Sequence, residues 1–218
     1  MAAGAGAAEG PGKDCPLCPR LVAFRRANRA QFPDWHNAPV PSFGGPDARL
    51  LIVGLAPGLR GANRTGRPFT GDWAGDLLYG TLLRFGLARG RYAERTDDGL
   101  ALVDCRVSNA VRCVPPENKP TGGEVAACRK FLKAEIESLP RLKVVLALGS
   151  IAHGAVLAAL GQRKSACKFR HGAMHAMESG LTLADSYHCS RYNTNTGKLT
   201  TAMFEKVFAG IKSRLDRA

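Results

Sequence analysis

Three groups of residues in this sequence have the types and spacing to do chemistry. The first is a set of thiols. Cys15 and Cys18 stand as C-x-x-C in "CPLC", and Cys113 and Cys128 bracket the loop "VPPENKPTGGEVAA" far along the chain. Four thiolates suit either zinc or an iron–sulfur cluster, and the long gap between the pairs excludes a compact zinc finger. The C-x-x-C does not follow a strand in a strand–helix–strand unit, which argues against a thioredoxin-like redox pair. Cys105, Cys167 and Cys189 stand alone and read as small buried residues.

The second group is the loop "GANRTGRPFTGD" at 61–72, which holds Asn63, Arg64, Arg67, Phe69 and Asp72 among glycines and a proline. Glycine and proline mark it as a loop, and its polar groups have little to do inside a core. Arg64 and Arg67 either meet phosphates or brace the loop through carbonyl hydrogen bonds. Asp72 either orients a water molecule or caps a helix beginning at Trp73, a position that aspartate fills well. The third group sits at the ends of apolar runs: Asn109 closes one and His188 another. A side-chain amide offers both donors and an acceptor, but an Asn at a strand end is more often a turn residue. His153, His171 and His175 read as structural residues, and His36 is open to either reading.

These groups need elements to position them. "RLLIVGL" (49–55), the start of "LALVDCRVSNAVRC" (100–113), "KVVLALG" (143–149) and "GLTLADSYH" (180–188) read as strands. Between them lie a helical stripe over 73–86 and a helix that starts at the capping box Thr121/Glu124 and runs to about Ser138. "SIAHGAVLAAL" and the Phe204, Val207, Phe208, Ile211, Leu215 face supply two more helices. Continuous apolar strands alternating with helices predict a three-layer α/β/α fold with a central, mostly parallel sheet. In such folds ligands bind beyond the carboxyl ends of the strands. The segments there are "APGLRGANRTGRPF", "SNAVRC", "GSIAHG" and "HCSRYNTNTG", so topology should gather Asn109 and His188 beside the 61–72 loop.

Residues 1–12, "MAAGAGAAEGPG", read as a disordered tail and 13–218 as one domain. The tail lacks a basic start and a Leu-rich stretch, and no apolar run is long enough to span a membrane. The chain reads as a cytoplasmic monomer. With 31 Lys and Arg against 18 Asp and Glu, its net charge of +13 is the footprint of a polyanion partner. The cations sit in loops beside glycines and aromatics rather than in tail-like blocks, which favours a shaped nucleic-acid groove over a membrane patch.

"GLAPGLRGANRTGRPFTGD", "SNAVRCVPPENKPT" and "HCSRYNTNTGKLT", with the C-x-x-C ahead of them, strongly resemble the family 5 (type b) uracil-DNA glycosylases, an iron–sulfur branch of the uracil-DNA glycosylase superfamily. The match runs in the family's order from about Cys15 to the last helix. Family 4 enzymes carry an acidic residue where this chain has Leu55. The resemblance implies that Cys15, Cys18, Cys113 and Cys128 bind a [4Fe–4S] cluster. It further implies a monofunctional enzyme that flips uracil, and other deaminated or damaged bases such as hypoxanthine, out of DNA and hydrolyses the N-glycosidic bond.

In that scheme Phe69 is the aromatic on which the flipped base stacks, and Gly54, Ala56, Pro57 and Gly58 line the base and sugar. Asn109 reads the pyrimidine edge, and His188 stabilises the departing base as an anion. Ala56 stands where other branches of the superfamily place Asp or Asn, which leaves Asp72 or Asn63 to handle the attacking water. Arg191 or Tyr192 wedges into the vacated stack, while Asn193, Arg64 and Arg67 hold phosphates. The competing expectation is a non-catalytic lesion- or nucleic-acid-binding protein with a cysteine-ligated metal.

Overall fold

The protein was described from a computed structural model, which covers residues 10–165 and 167–217. Most of the tail expected at 1–12 lies outside the described residues. Five strands form the main sheet: β1 (Leu50–Gly54), β4 (Cys105–Asn109), β5 (Val144–Leu148), β6 (Met174–Ala176) and β7 (Thr182–Ser186). Their order is β4-β1-β5-β7-β6, and only β6 runs antiparallel to its neighbour. Helices α1 (Pro19–Gln31), α2 (Ala62–Thr65), α3 (Trp73–Arg84), α4 (Gly122–Ser138), α5 (Ser150–Ala159), α6 (Arg191–Asn195) and α7 (Thr201–Asp216) complete the chain, with a small hairpin of β2 (Ala88–Arg89) and β3 (Ala101–Leu102).

The continuous apolar strands are explained by burial on both faces. Leu50, Ile52, Val107 and Leu146 pack with Leu78, Leu82, Phe204 and Phe208 of α3 and α7. Leu51, Val53, Val145 and Ala147 pack instead with Leu132, Ile136, Val156 and Leu157 of α4 and α5. Successive residues of one strand thus feed two cores, each fully buried aliphatic side chain contributing about 1.5–3 kcal/mol. This is the expected three-layer arrangement. The capping box that starts α4 is formed: Thr121 Oγ1 accepts from the Glu124 amide, and the Glu124 carboxylate accepts from the Thr121 amide.

The run 100–113 departs from a single strand. Asp104 sits at φ +54, and the chain breaks there into β3 of the hairpin and β4 of the main sheet. Asp104 is held in that bend by Arg49, whose Nε and backbone amide both donate to its carboxylate. Three helices have no counterpart in the periodicity reading, among them α2, a single turn inside the 61–72 loop. α1 is polar on most of its surface, and α6 is a five-residue turn within "SRYNTNTG".

Adjacent strands β1 and β4 send the chain to opposite faces of the sheet, β1 toward α3 and β4 toward α4. Such a reversal opens a crevice at the strands' carboxyl ends. Gly54 and Asn109 form the last register pair there.

Candidate active site

Gly54 decides what the crevice can hold. A Cβ at this position would lie 2.5 Å from Asn109 Oδ1 and 2.6 Å from Phe69 Cζ. Only glycine lets the amide and the ring close over the end of β1. A cavity beyond them is lined by Ala56, Pro57, Gly58, Phe69, Asn109 and His188, with Asp72 on its wall. It opens into an outer cavity of about 330 Å³ lined by Leu55, Trp73, Asn118, Ser190 and Arg191, with Asp72 and His188 shared between the two. Topology therefore brings together residues from the ends of β1, β4 and β7, as their placement after buried strands predicts.

Asn109 is 3% exposed, and its side-chain amide has no protein partner among the described residues. His188 likewise makes no side-chain hydrogen bond there, and its ring stacks beside Phe69 with centroids 5.8 Å apart and planes at 27°. Burial pushes the His188 imidazole down to about 4, so it is neutral at physiological pH, with one nitrogen as donor and the other as acceptor. Asn193 Nδ2 donates to the His188 carbonyl at 2.8 Å, which fixes the backbone beneath the ring.

Phe69 occupies the left-handed region at φ +52 and is 6% exposed. Such a conformation costs energy in a non-glycine residue and persists only when the surroundings hold it. Here they do. The Phe69 carbonyl accepts from Tyr92 Oη at 3.1 Å, and Tyr79 Oη and Thr70 Oγ1 donate to the Pro68 carbonyl. Gly75 of α3 must also lack a side chain, because its Cβ would lie 2.0 Å from the Phe69 carbonyl oxygen.

Asp72 caps a helix and also faces the cavity. Its Oδ1 accepts from the Ala74 amide as the N-cap of α3, and the same carboxyl forms cavity wall. Burial raises its affinity for a proton, and the amides of Ala74 and Gly75 oppose that shift. Gly58 and Gly61 approach it closely, with ideal Cβ positions 3.1 and 2.4 Å from Asp72 Oδ2.

Three expected roles are not met. Asn63 does not line the cavity: it is 1% exposed, and its Nδ2 donates to Asn37 Oδ1 at 2.9 Å, tying α2 to the segment after α1. Arg67 is unavailable to phosphates. Its guanidinium is buried over the rings of Phe43, Tyr79 and Tyr92, forks onto both oxygens of Asp98 and donates to Thr70 Oγ1. It is therefore a brace for the Phe69 loop, and its hydrogen bonds hold the Asp98 carboxyl well below the usual carboxylate range. The Asn193 amide is spent on His188 rather than turned to a phosphate. In each case the deciding partner lies outside the motif, and sequence spacing does not reveal it.

Arg64 and Tyr192 are exposed, Tyr192 to 74%. Arg191 lies over the Trp73 ring at 5.5 Å, and Trp73 Nε1 donates to Thr194 Oγ1. Trp73, 49% exposed on the outer cavity, is a site residue that hydrophobic periodicity does not reveal, although an aromatic directly after an N-cap in a basic loop is a usable signal. Asn118, at φ +58 in "PPENKP", is the second such residue.

Cys15, Cys18, Cys113 and Cys128 line one small cavity behind this site, walled by Leu17, Leu21, Val111 and Phe131. Cys18 caps the start of α1, Cys113 follows β4 and Cys128 lies on α4. Arg25 Nη1 reaches Cys113 Sγ at 3.6 Å and Nη2 donates to the Cys15 carbonyl, while its Nε is buried without a partner. Burial pushes up the thiols of Cys18, Cys128 and Cys113, the last to about 11. Such a set is stable as thiolates only with a compensating cation. Cys105 and Cys189 are buried in the core, in keeping with a packing role.

The Uracil DNA glycosylase superfamily model matches residues 41–212 of the chain. The chain is 49% identical over 205 residues to a type-5 uracil-DNA glycosylase of Thermus thermophilus, covering 91% of this chain and 92% of that protein. Similar proteins of the same name occur in Mycobacterium leprae, 41% identical over 91% of this chain and 90% of that one, and in Pyrobaculum aerophilum, 39% identical over 89% and 86%. A type-4 uracil-DNA glycosylase of Thermotoga maritima aligns over less, 64% of this chain and 59% of that protein, at 39% identity.

Proposed function

The chain belongs to the type-5 uracil-DNA glycosylases of the uracil DNA glycosylase superfamily, and from that premise we propose that the crevice at β1, β4 and β7 releases uracil from DNA by hydrolysis, the first step of base excision repair. The observation that carries the assignment of the site is the buried Asn109 amide that faces the cavity without a protein partner. A buried polar group is ordinarily satisfied, so an open one in a cavity is built for a ligand. Uracil offers the complementary N3–H and O4.

The reaction needs the base outside the duplex, since its C1′–N1 bond is inaccessible within the stack. The flipped ring stacks on Phe69, an interaction worth about 1–3 kcal/mol. Asn109 Oδ1 accepts from N3–H and its Nδ2 donates to O4. As the C1′–N1 bond breaks, its electron pair moves onto N1 and O2 of the base, and positive charge builds on the sugar. A neutral His188 donates a hydrogen bond to O2 and stabilises that anion without giving up its proton. Water adds to C1′ from the other side, and its proton passes to Asp72 or to solvent. The Asp72 carboxylate also opposes the developing sugar cation. Ala56 and Leu55 leave apolar walls in place of a second acid, which is compatible with hypoxanthine and other deaminated bases.

Cys15, Cys18, Cys113 and Cys128 are the ligands we assign to a [4Fe–4S] cluster. Arg25 supports this, bringing an unfilled Nε and a positive charge to the thiol set. The cluster would join α1, α4 and the Cys113 loop. Anaerobic purification should give a brown protein absorbing near 400 nm, and a colourless protein with stoichiometric zinc would overturn the cluster. No described helix is long and apolar enough to cross a membrane, and we place the enzyme in the cytoplasm as a monomer.

The test is excision from a labelled duplex carrying one uracil, followed by hot alkali. Cleavage only after alkali is expected. No alkali-labile site, with DNA binding intact, would instead support a lesion-binding protein on a glycosylase fold.

A further inference from the structure

A second cavity, of about 430 Å³, lies apart from the one that holds Asn109 and His188. It opens between α4, α5 and the segment after α5, and its lining includes Arg129, Lys164 and Lys168 but no carboxylate. All three cations are exposed and lack an acidic partner among the described residues. Elsewhere the protein pairs its interior-facing cations, as at Arg67–Asp98, Arg106–Glu135 and Arg112–Glu135. Lys164 is also laid down rather than left free. Its stem crosses α5 at Gly154, where an added Cβ would lie 3.2 Å from Lys164 Cε.

The sequence around it, "RKSACKFR" at 163–170, places four cations in eight residues with no acid. The cavity lies on the same edge of the sheet as the active site. Ser150 and Ile151 at its wall directly follow Gly149, whose backbone amide donates to the Ser186 carbonyl and whose Cβ position lies 3.8 Å from His188 Cβ. An exposed, acid-free cluster of cations beside a DNA-acting crevice fits a chain of phosphodiesters better than a small ligand, because the cavity is broad and open.

We propose that Arg129, Lys164 and Lys168 form a second phosphate-binding groove, which holds the DNA backbone on one side of the flipped nucleotide. The inference rests on the reading of the crevice as a DNA glycosylase site. It adds a distinct contact to Arg191, Tyr192 and Arg64, none of which lines this cavity. Each phosphate neutralised releases counterions, so each contact adds about 0.9 to the slope of log affinity against log salt.

The experiment compares wild type with the Lys164→Ala/Lys168→Ala double variant, binding a duplex with one uracil across a range of salt, and measures single-turnover release in the same samples. Both side chains are exposed, so folding is expected to be retained, and the melting temperature checks this. The groove predicts a slope smaller by about 2 and affinity about tenfold weaker at moderate salt, with the single-turnover rate at saturating DNA unchanged. Trimming the duplex on one side of the uracil should erase the difference, while trimming the other side should preserve it. Identical slopes and affinities would overturn the groove, as would a difference that survives trimming on either side. If wild type binds but releases no base, the glycosylase reading fails, and the slope comparison still decides whether the groove holds DNA. Lys164→Gln and Lys168→Gln, taken singly, should each lower the slope by about 1; an unchanged slope in both would also count against it.

Discussion

Two buried polar clusters in this molecule use the same residue types and do opposite things. At one, Asp185 of β7 accepts from His153 Nδ1 at 2.7 Å, His175 Nε2 at 3.0 Å and the Arg170 amide at 3.2 Å, while His153 Nε2 meets the Cys167 carbonyl. At the other, Asn109 and His188 face a cavity and lack such partners. The first holds its ligand atoms closer together and looks more like a metal site by residue type alone. Its hydrogen bonds are filled by the protein, so it joins α5, β6 and β7 as structure. The second has hydrogen-bonding capacity to spare. Satisfaction, more than residue type, separates a brace from a site.

Mutation should pull the two clusters apart. His188→Ala is expected to slow single-turnover uracil release by about 10²–10³-fold, the cost of a lost donor to developing negative charge, with little change in melting temperature. Asp185→Ala should do the reverse. It strips the partner from the buried His153 and the half-buried His175, a loss of about 3–5 kcal/mol in stability, while the protein that stays folded should excise at nearly the wild-type rate. Thermal melts and rates measured side by side would show the crossing, and equal effects of both variants on both readouts would dissolve the distinction.

Gly54→Ala tests the site through its backbone. The added carbon meets Asn109 and Phe69 at 2.5–2.6 Å, so release should fall well below wild type through misplacement alone. Gly80→Ala, where nothing lies within 4 Å of the new carbon, should be neutral or mildly stabilising.

The smallest effect concerns pH. His188 in the folded protein titrates near 4, below its unfolded value of about 6.5. The unfolded chain thus binds more protons between these limits, and this histidine's contribution to stability is lost as pH falls from about 6.5 toward 4. Wild type should therefore lose melting temperature relative to His188→Ala as pH falls through that window. The same shift predicts that excision shows no loss from His188 protonation between pH 8 and about 5. A fall in rate with an apparent pKa near 6.5 that vanishes in no other variant would contradict a neutral donor.

Much of this architecture is legible in the sequence. The capping box put the start of α4 at Gly122, and the apolar runs located β1, β5 and β7 because strands buried on both faces carry no polar interruptions. Asn109 and His188 were found because chain order after a buried strand predicts where a residue lies in a parallel sheet. What was hidden depends on long-range partners. Arg67 resembles a phosphate ligand until Asp98 and three rings surround it, and Asn63 resembles a water-holding residue until Asn37 takes its amide. The break at Asp104 is equally invisible, because the Arg49 that stabilises it comes from another strand edge.

The most direct measurement of the central claim is single-turnover release of uracil by Asn109→Ala, beside wild type, with melting temperature recorded for both. The open amide predicts a rate lower by about 10²-fold or more in a protein that melts no lower than wild type, since the residue removed satisfies nothing in the fold. A variant that melts several degrees lower and excises at the wild-type rate would mean that Asn109 is a structural residue and that uracil is read elsewhere.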